Sequence, residues 1–325
     1  MKRSLDSRIL KALRSSPVHL PVGELAELAG IGVATVRERL AVLRTAGYEI
    51  AEQPLLGCRL VSAPDRLIAD DLIAMLEDCP LIREIVVLEE TDSTNNVVTQ
   101  LGRTGAGEGL VAFAETQSAG RGRLGRAWES APRQGLWFSL LMRPRFPLPE
   151  WTRLTTWAAV GVAMGIESVI GRKTSIKWPN DVFIDGKKAV GILIESHAGR
   201  EEFAVIGIGV NVNQVEFPTS ISKTATSLRI AGGRPFDRQE VAVAILGELD
   251  RWKRKLESGF FEIVAAAEER SYLRGCRVEM RSGPDVISGI AGELDENGAL
   301  RVRTSNGDCV VISSGEVTIA EWSEV

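Results

Sequence analysis

The sequence predicts an α+β chain in three parts: a small helical unit over residues 1–63, a central mixed β-sheet with helices on one side over 64–272, and a small β-barrel over 273–325. Three observations carry this reading. Apolar residues at the front recur at helical spacing. In the middle, β-rich runs outnumber helical ones without regular alternation, which argues against a doubly wound parallel sheet. At the end, short alternating runs are divided by turn signals. A length of 325 residues also exceeds one typical core, since a domain takes about 150.

The elements follow in order. "SLDSRILKALRSS" repeats Leu5, Ile9, Leu10 and Leu13 on one helical face. "PVGELAELAG" offers Pro21 at an N-terminus, an apolar face of Leu25, Ala26 and Leu28, and Gly30 as a stop. "GVATVRERLAVLRTAGY" buries Val36, Leu40 and Leu43, leaves Thr35, Arg37 and Arg39 on other faces, and ends at Gly47. Two helices joined by a short glycine-containing turn make a helix-turn-helix, whose second helix suits a major groove. "YEIAEQPLLGCRLV" reads as two short strands around Pro54 and Gly57, a wing that adds Arg59. Residues 1–63 hold 9 Lys+Arg against 6 Asp+Glu, while the remainder holds 30 against 37, so the front is the part suited to a polyanion. A packing module with solvated arginines is the alternative; the local positive balance favours DNA contact through Thr35, Arg37 and Arg39.

"SAPDRL", residues 62–67, has the character of a linker. Strands are expected at "EIVVLEE", "GLVAFAET", "LWFSLLM", "VGILIES" and "FAVIGIGVNVN", and helices at "WTRLTTWAAVGVAMGIESVI" and "DRQEVAVAILGELDRWKRKLES". From about Cys276, "RVEM", "VISGIAGEL", "ALRVRT", "CVVIS" and "VTIA" are five short strands separated by "SGPD", "DENG" and "SNGD", the pattern of a small barrel.

Composition excludes several chemistries. A hydrophobic share of 44% and a charged share of 25% are those of a water-soluble globular protein. "MKRSLDSRIL" has no apolar run behind its charges and no stretch is long enough to cross a bilayer, so a cytoplasmic home without membrane attachment is expected. Cys58, Cys79, Cys276 and Cys309 form no C-x-x-C pair, which suggests reduced thiols. His19 and His197 are the sole histidines, which removes most metal-hydrolase schemes and makes a Ser-His-Asp arrangement improbable. Chemistry must rest on lysine, arginine, carboxylates, amides or the backbone.

Three stretches carry that chemistry. "GRGRLGRAW" alternates Gly120, Gly122 and Gly125 with Arg121, Arg123 and Arg126. Such a loop cannot bury itself and must face water or an anion, because glycine frees backbone N–H groups and guanidinium supplies planar, permanently charged donors. An Arg-Gly RNA-binding tract is the rival reading, for which a single copy between two strands is a poor example. "KWPND" places Lys177 at a strand end beside the rigid Pro179, where a solvated lysine is the default. "TDSTNN", Thr91 to Asn96, follows a strand and is competent either to cap a helix or to hydrogen-bond a neutral polar ligand.

"TDSTNN", "ETQSAGRGRLGRAW", "KWPNDVFIDGKKAVGILIES" and "GIGVNVN", in this order and spacing, resemble the biotin protein ligase family, and the front unit resembles its bifunctional members that also repress transcription. The resemblance covers essentially the whole chain. It implies a catalytic sheet of the class II aminoacyl-tRNA-synthetase type and a terminal barrel of the Src-homology-3 type. It further implies ATP, biotin and Mg²⁺ as cofactors and a two-step ligation: biotin and ATP give biotinyl-5′-adenylate and pyrophosphate, then a lysine of a biotin carboxyl carrier protein, an acetyl-CoA carboxylase subunit, takes the biotin. On the matching positions, Lys177 and Arg123 are the expected catalytic pair. Ser93, Thr94, Asn95 and Gln117, with Arg121, Gly122, Arg123 and Lys177, would hold biotin; Arg121, Arg123, Arg126, Trp128, Lys188 and Asn211 would hold the adenylate, with Trp128 packing against biotin's chain or its pocket. Gly207 and Gly209 are weaker candidates, and no residue is a dedicated metal ligand.

The resemblance also implies operator DNA as a partner and a homodimer through sheet edges when adenylate is bound. The recognition helix "GVATVRERL" departs from the family's best-known version, so its operator does not carry over. Mutual repulsion of three arginines and the freedom of glycine predict a loop that ligand orders. The rivals are a lipoate-type acyl ligase, which would not carry "KWPND", and a non-catalytic biotin-responsive repressor, which would not need the glycine–arginine loop.

Overall fold

The computed structural model describes residues 4–76, 79–199, 202–282 and 285–321. At the front lie α1 (Leu5–Ser15), α2 (Val22–Ala29) and α3 (Val33–Thr45), followed by the antiparallel hairpin β1 (Glu49–Gln53) and β2 (Gly57–Ser62). Ser4 caps α1 by accepting from the Ser7 amide, and Gly30 closes α2 in the left-handed conformation at φ +62°. Ile9, Leu10, Leu13, Leu25, Val36, Leu40 and Leu43 share one core, as the helical spacing requires. Leu28 is a correction. It is 61% exposed, and Ala29, one full turn on from Leu25, takes the seam instead.

The segment expected to be a linker is fastened. The Leu67 amide donates to Glu115 Oε1 at 2.7 Å, and Arg66 pairs with Glu89. Directly after it comes α4 (Ala69–Met75), a helix too short to show a period in the sequence. Its fully buried Asp71 accepts both ends of the Arg14 fork, at 2.6 and 2.7 Å, and Gln239 Nε2 at 2.9 Å. Thus α1 is tied through α4 to the central unit.

The central unit contains β3 (Glu84–Thr91), α5 (Thr94–Arg103), β4 (Leu110–Gln117), β5 (Gly135–Met142), α6 (Arg153–Ile170), β6 (Ser175–Lys177), β7 (Asp181–Ile184), β8 (Lys187–His197), β9 (Phe203–Asn211), α7 (Leu228–Gly232), α8 (Arg238–Glu257) and α9 (Phe260–Glu268). Among the described residues the sheet order is β3-β4-β5-β9-β8-β7-β6, with β3 and β4 parallel and every other pair antiparallel, the mixed sheet that the sequence predicts. The long helices α6 and α8 gather on one face over Val111, Phe113, Leu136, Phe138, Leu140, Ile206 and Ile208. The shorter α5 lies on the opposite face, over Leu110, Ala112, Leu141 and Val205. Alternate residues of one strand therefore serve two cores.

The end of the chain forms β10 (Arg277–Ser282), β11 (Asp285–Leu294), β12 (Leu300–Thr304), β13 (Cys309–Ile312) and β14 (Glu316–Glu321), antiparallel in the order β13-β12-β11-β10-β14. The expected "SGPD" turn includes residues 283 and 284, which lie outside the described residues. Val278, Met280, Leu300, Val302, Ile312 and Val317 form a core that also takes Trp178, whose Nε1 donates to the Gly298 carbonyl at 2.9 Å. The tryptophan of the "KWPND" turn is thus part of the terminal sheet's core.

Candidate active site

One cavity of about 560 Å³ opens on the face of the sheet that carries the start of α5, within the size range of small-molecule pockets. Its lining brings together Ser93, Thr94, Asn95, Gln117, Arg121, Gly122, Arg123, Arg126, Trp128, Lys177, Lys188 and Asn211, every ligand-site position expected from the sequence.

The cavity's closed end is polar. Ser93, Thr94 and Asn95 sit at the N-terminus of α5 and are buried. Ser93 holds the N-cap position but makes no capping hydrogen bond with its side chain, so capping does not account for it. Asp92 takes the neighbouring polar groups instead, accepting from the Ser93 amide at 2.6 Å and from Asn96 Nδ2 at 2.6 Å. These hydrogen bonds, from Asn96 first and Ser93 second, hold its carboxyl below the usual carboxylate range. Gln117, at the end of β4, accepts from the Thr94 amide at 2.8 Å and donates to Ser130 Oγ at 3.0 Å.

The glycine–arginine loop is a tight hairpin. Gly122 N–H donates to Arg126 O at 2.7 Å and Trp128 N–H to Gly120 O at 2.9 Å, with Leu124 at the exposed tip at φ +56°. Its arginines fan out to three elements. Arg121 donates to Asn96 Oδ1 at 2.7 Å and lies 3.5 Å from Glu195. Arg123 donates to Asn180 Oδ1 and to the Gly315 carbonyl, each at 2.9 Å, and Arg126 pairs with Glu316. This corrects the expectation that such a loop faces only water or an anion: Arg123 is half-buried, and burial pulls its pKa below the ordinary arginine value.

Across the cavity, Lys177 projects from the end of β6. Among the described residues its ammonium has no ion-pair or hydrogen-bond partner, and Phe183 lies with its ring centroid 5.8 Å away. Burial is the main cause that lowers its pKa; Asp181 opposes the shift and Lys188 adds to it. A half-buried cation that makes no ion pair, with the nearby Asp181 engaged by Lys188, is suited to receive an anion.

The floor is made of glycine. Gly191 and Gly209 face each other across β8 and β9, and a Cβ would come within 2.7 and 2.5 Å of the Trp128 ring. Trp128 therefore lies flat against the sheet, with Lys188 5.3 Å above its ring and paired to Asp181 at 2.8 Å. Asn211 lines the cavity, but its Nδ2 donates to Thr226 O at 3.0 Å, so its side chain fastens the following loop. At the front unit, Arg37 is exposed, Thr35 is half-buried, and both ends of the Arg39 fork are held by Asp6 at 2.7 and 2.5 Å. Arg39, expected on the DNA face, is thereby engaged within the helical unit.

Sequence reasoning missed Asn180, Glu195, Ser139 and the Gly315–Glu316 corner. Ser139 carried a signal, as the one polar residue inside the apolar strand "GLWFSLLM". The corner carried none, because its relevance rests on the terminal sheet folding back over the loop.

Residues 87–213 match the family model described as Biotin/lipoate A/B protein ligase family, and residues 274–319 that of the Biotin protein ligase C terminal domain. The Bifunctional ligase/repressor BirA of Bacillus subtilis is 35% identical over 289 residues, spanning 87% of this chain and 89% of the relative. The Biotin--[acetyl-CoA-carboxylase] ligase of Mycobacterium tuberculosis is 35% identical over 242 residues, spanning 72% of this chain and 88% of the relative. The structure of biotin protein ligase from Aquifex aeolicus in complex with biotin and ATP superposes with a TM-score of 0.65 at 32% identity, covering 74% of this chain and 100% of that one.

Proposed function

The chain belongs to the biotin protein ligase family, and from that premise we propose that it condenses biotin with ATP, hands the biotin to a lysine of a biotin carboxyl carrier protein, and represses biotin-synthesis genes through its front unit. The observation that carries this reading is the meeting, in one cavity, of a buried polar end, an ammonium without a counter-ion and an arginine hairpin.

The proposed roles follow the cavity from end to end. Ser93, Thr94, Asn95 and Gln117 take the ureido ring, a neutral group with donors and acceptors on one edge. The biotin carboxylate lies between Lys177 and the Arg121–Gly122–Arg123 segment. Arg126, Trp128 and Lys188 flank the nucleotide, and Asn211 shapes the wall. A carboxylate oxygen attacks the α-phosphorus, the bond to the bridging oxygen breaks, and pyrophosphate leaves. Two anions meet in this step, so the lysine and the hairpin lower the barrier by stabilising the charge that accumulates. In the second step the carrier's lysine amine attacks the acyl carbon and AMP leaves. Binding exchanges the Arg123 contacts to Asn180 and Gly315 for contacts to ligand, which couples loop order to occupancy.

Among the described residues no three His, Cys, Asp or Glu side chains converge. Magnesium arriving with ATP would neutralise phosphate charge while held by phosphate oxygens and water. No helix among the described residues is long and apolar enough to cross a membrane; a cytoplasmic location is part of the proposal. So are the three-domain division at residues 63 and 272 and a homodimer through sheet edges when adenylate is bound. For DNA contact the proposal retains Arg37 and Thr35, with Arg39 positioning α3 through Asp6.

Incubation with labelled biotin, ATP and a carrier domain is expected to label one carrier lysine, and Arg123→Ala to release the adenylate so that free lysines react. Absence of biotin-dependent pyrophosphate release would overturn the ligase reading. A gel shift with DNA from upstream of biotin-synthesis genes, weakened by Arg37→Ala, tests the repressor arm.

A further inference from the structure

We propose that Glu195, which does not line the cavity, is a positioning residue that sets the donor–acceptor polarity of the buried hydrogen-bond chain at the cavity's closed end, and so selects a ligand head bearing N–H groups. The proposal rests on the biotin reading and deepens it.

The chain is short and buried at its Ser139, Thr94 and Asn95 members, while the Glu195 side chain at its outer end is 32% exposed. Glu195 Oε2 accepts from Asn95 Nδ2 at 2.6 Å; Asn95 Oδ1 lies 2.6 Å from Ser139 Oγ; Ser139 Oγ lies 2.7 Å from Thr94 Oγ1. Ser139 is fully buried, and Asn95 and Thr94 nearly so. Thr94 and Asn95 line the cavity, whereas Glu195 and Ser139 stand behind it.

Each group but one is ambiguous in its role. A hydroxyl has one proton and can donate or accept, and a side-chain amide can turn either end to a neighbour. The carboxylate of Glu195 is the exception, being able only to accept. It therefore fixes the Nδ2 end of Asn95 toward itself and the Oδ1 end toward Ser139. Oδ1 can only accept, so the single Ser139 proton goes there. Ser139 Oγ is then the acceptor at its 2.7 Å contact, and Thr94 must donate to it. With its proton committed, Thr94 Oγ1 faces the cavity as an acceptor, matched to an N–H of the ligand. Thr94 Oγ1 also lies 3.2 Å from Gln117 Oε1, but that oxygen already accepts from the Thr94 amide at 2.8 Å, and the shorter contact to Ser139 takes the hydroxyl proton. Among the described residues Glu195 is the one acceptor for Nδ2, which leaves Asn95 a second amide proton for a ligand carbonyl. An N–H next to a carbonyl on one edge is the pattern of a cyclic urea.

Two features hold the arrangement. A Cβ on Gly207 would come 2.2 Å from Asn95 Oδ1, so only glycine leaves room for the amide against the sheet. Arg121, 3.5 Å from Glu195 Oε1 and hydrogen-bonded to Asn96 Oδ1, holds the carboxylate in place. The same carboxylate thus joins the closed end of the cavity to the arginine hairpin. Its strand position was visible as the third of the alternating set Gly191, Leu193 and Glu195, though not its partner.

Glu195→Gln is the direct test, since glutamine has the same shape but offers either a donor or an acceptor. In the full-length protein the biotin KM is expected to rise at least about tenfold with the ATP KM unchanged, the effect of a mispaired buried polar group. Wild type should discriminate against biotin methylated on a ureido nitrogen, and Glu195→Gln should lose that discrimination. Adding Asn95→Asp restores an acceptor opposite Ser139 but removes the amide proton offered to the ligand carbonyl, so the double variant should recover the discrimination while its biotin KM stays raised. An unchanged biotin KM in Glu195→Gln overturns the proposal, as does an equal rise of both KM values with a fall in Tm and discrimination intact, which is what a merely structural ion pair predicts. If wild type does not bind biotin at all, the functional reading fails first and takes this proposal with it.

Discussion

Replacing Lys177 with glutamine is expected to lower the single-turnover rate of biotinyl-adenylate formation by about 10²–10³-fold, the usual consequence of removing one group aimed at developing charge. Lys177 makes no ion pair or hydrogen bond among the described residues, only a contact over the Phe183 ring, and Asp181 is paired to Lys188, so its loss breaks no ion pair and strands no carboxylate. The effect should therefore fall on chemistry and leave the fold intact. Arginine should not rescue it, because a planar fork does not replace a compact ammonium in a cavity shaped around the latter. The pH dependence has a definite sign. Burial lowers the folded-state pKa of Lys177, so the cation needed for adenylation is lost on the alkaline side earlier than for an exposed lysine. In the window between the lowered and the ordinary value, the unfolded chain binds more protons than the folded one, so stability rises with pH there. It follows that Lys177→Met should raise Tm slightly while abolishing adenylation. A loss of less than about threefold in adenylate formation for Lys177→Gln would remove this residue from the mechanism.

Glu115→Ala is expected to cost about 3 kcal/mol of stability, because it leaves the buried guanidinium of Arg238 with only the exposed Asp65 as counter-charge. The two side chains are 3% and 1% exposed and meet at 2.5 Å, and Arg238 also reaches Asp65 and the Gly135 carbonyl. The consequence should extend beyond the central unit. Glu115 accepts from the Leu67 amide, and the neighbouring Gln239 donates to Asp71, which holds Arg14 of α1. Proteolysis within residues 62–68 should accordingly accelerate in this variant. Methionine at both positions 115 and 238 should recover only part of the loss, since it removes the unpaired buried charge but leaves the Leu67 amide without its acceptor. Chemical denaturation measures both. A single-variant loss below about 1 kcal/mol would show that water reaches the guanidinium and that the segment is not locked as described.

Much of the candidate site was legible because its chemistry is local. Three arginines alternating with glycines, a lysine before Trp178–Pro179 and small hydroxyls after a strand each left a bland reading open, but together and in this order they carried the family resemblance, and Arg121, Arg123, Arg126, Lys177, Ser93 and Thr94 all line one cavity. What could not be read was how these groups are held. Asn95 and Glu195 are 100 positions apart, Arg123 and Gly315 are 192 apart, and neither pairing leaves a period or a motif. The short helix α4 was invisible for a related reason: seven residues make too few turns for an apolar stripe to stand out.

By itself, then, the sequence determined the longer elements and their order, the family, and the charge types that meet the ligand, because periodicity and side-chain chemistry act over a few residues. Tertiary structure alone decided that Arg39 serves Asp6, that Leu28 is bare, that residues 65–67 are clamped, and that Glu195 stands behind Asn95. These are outcomes of burial and hydrogen-bond satisfaction between distant segments, and such demands arise only once the chain has excluded water around them.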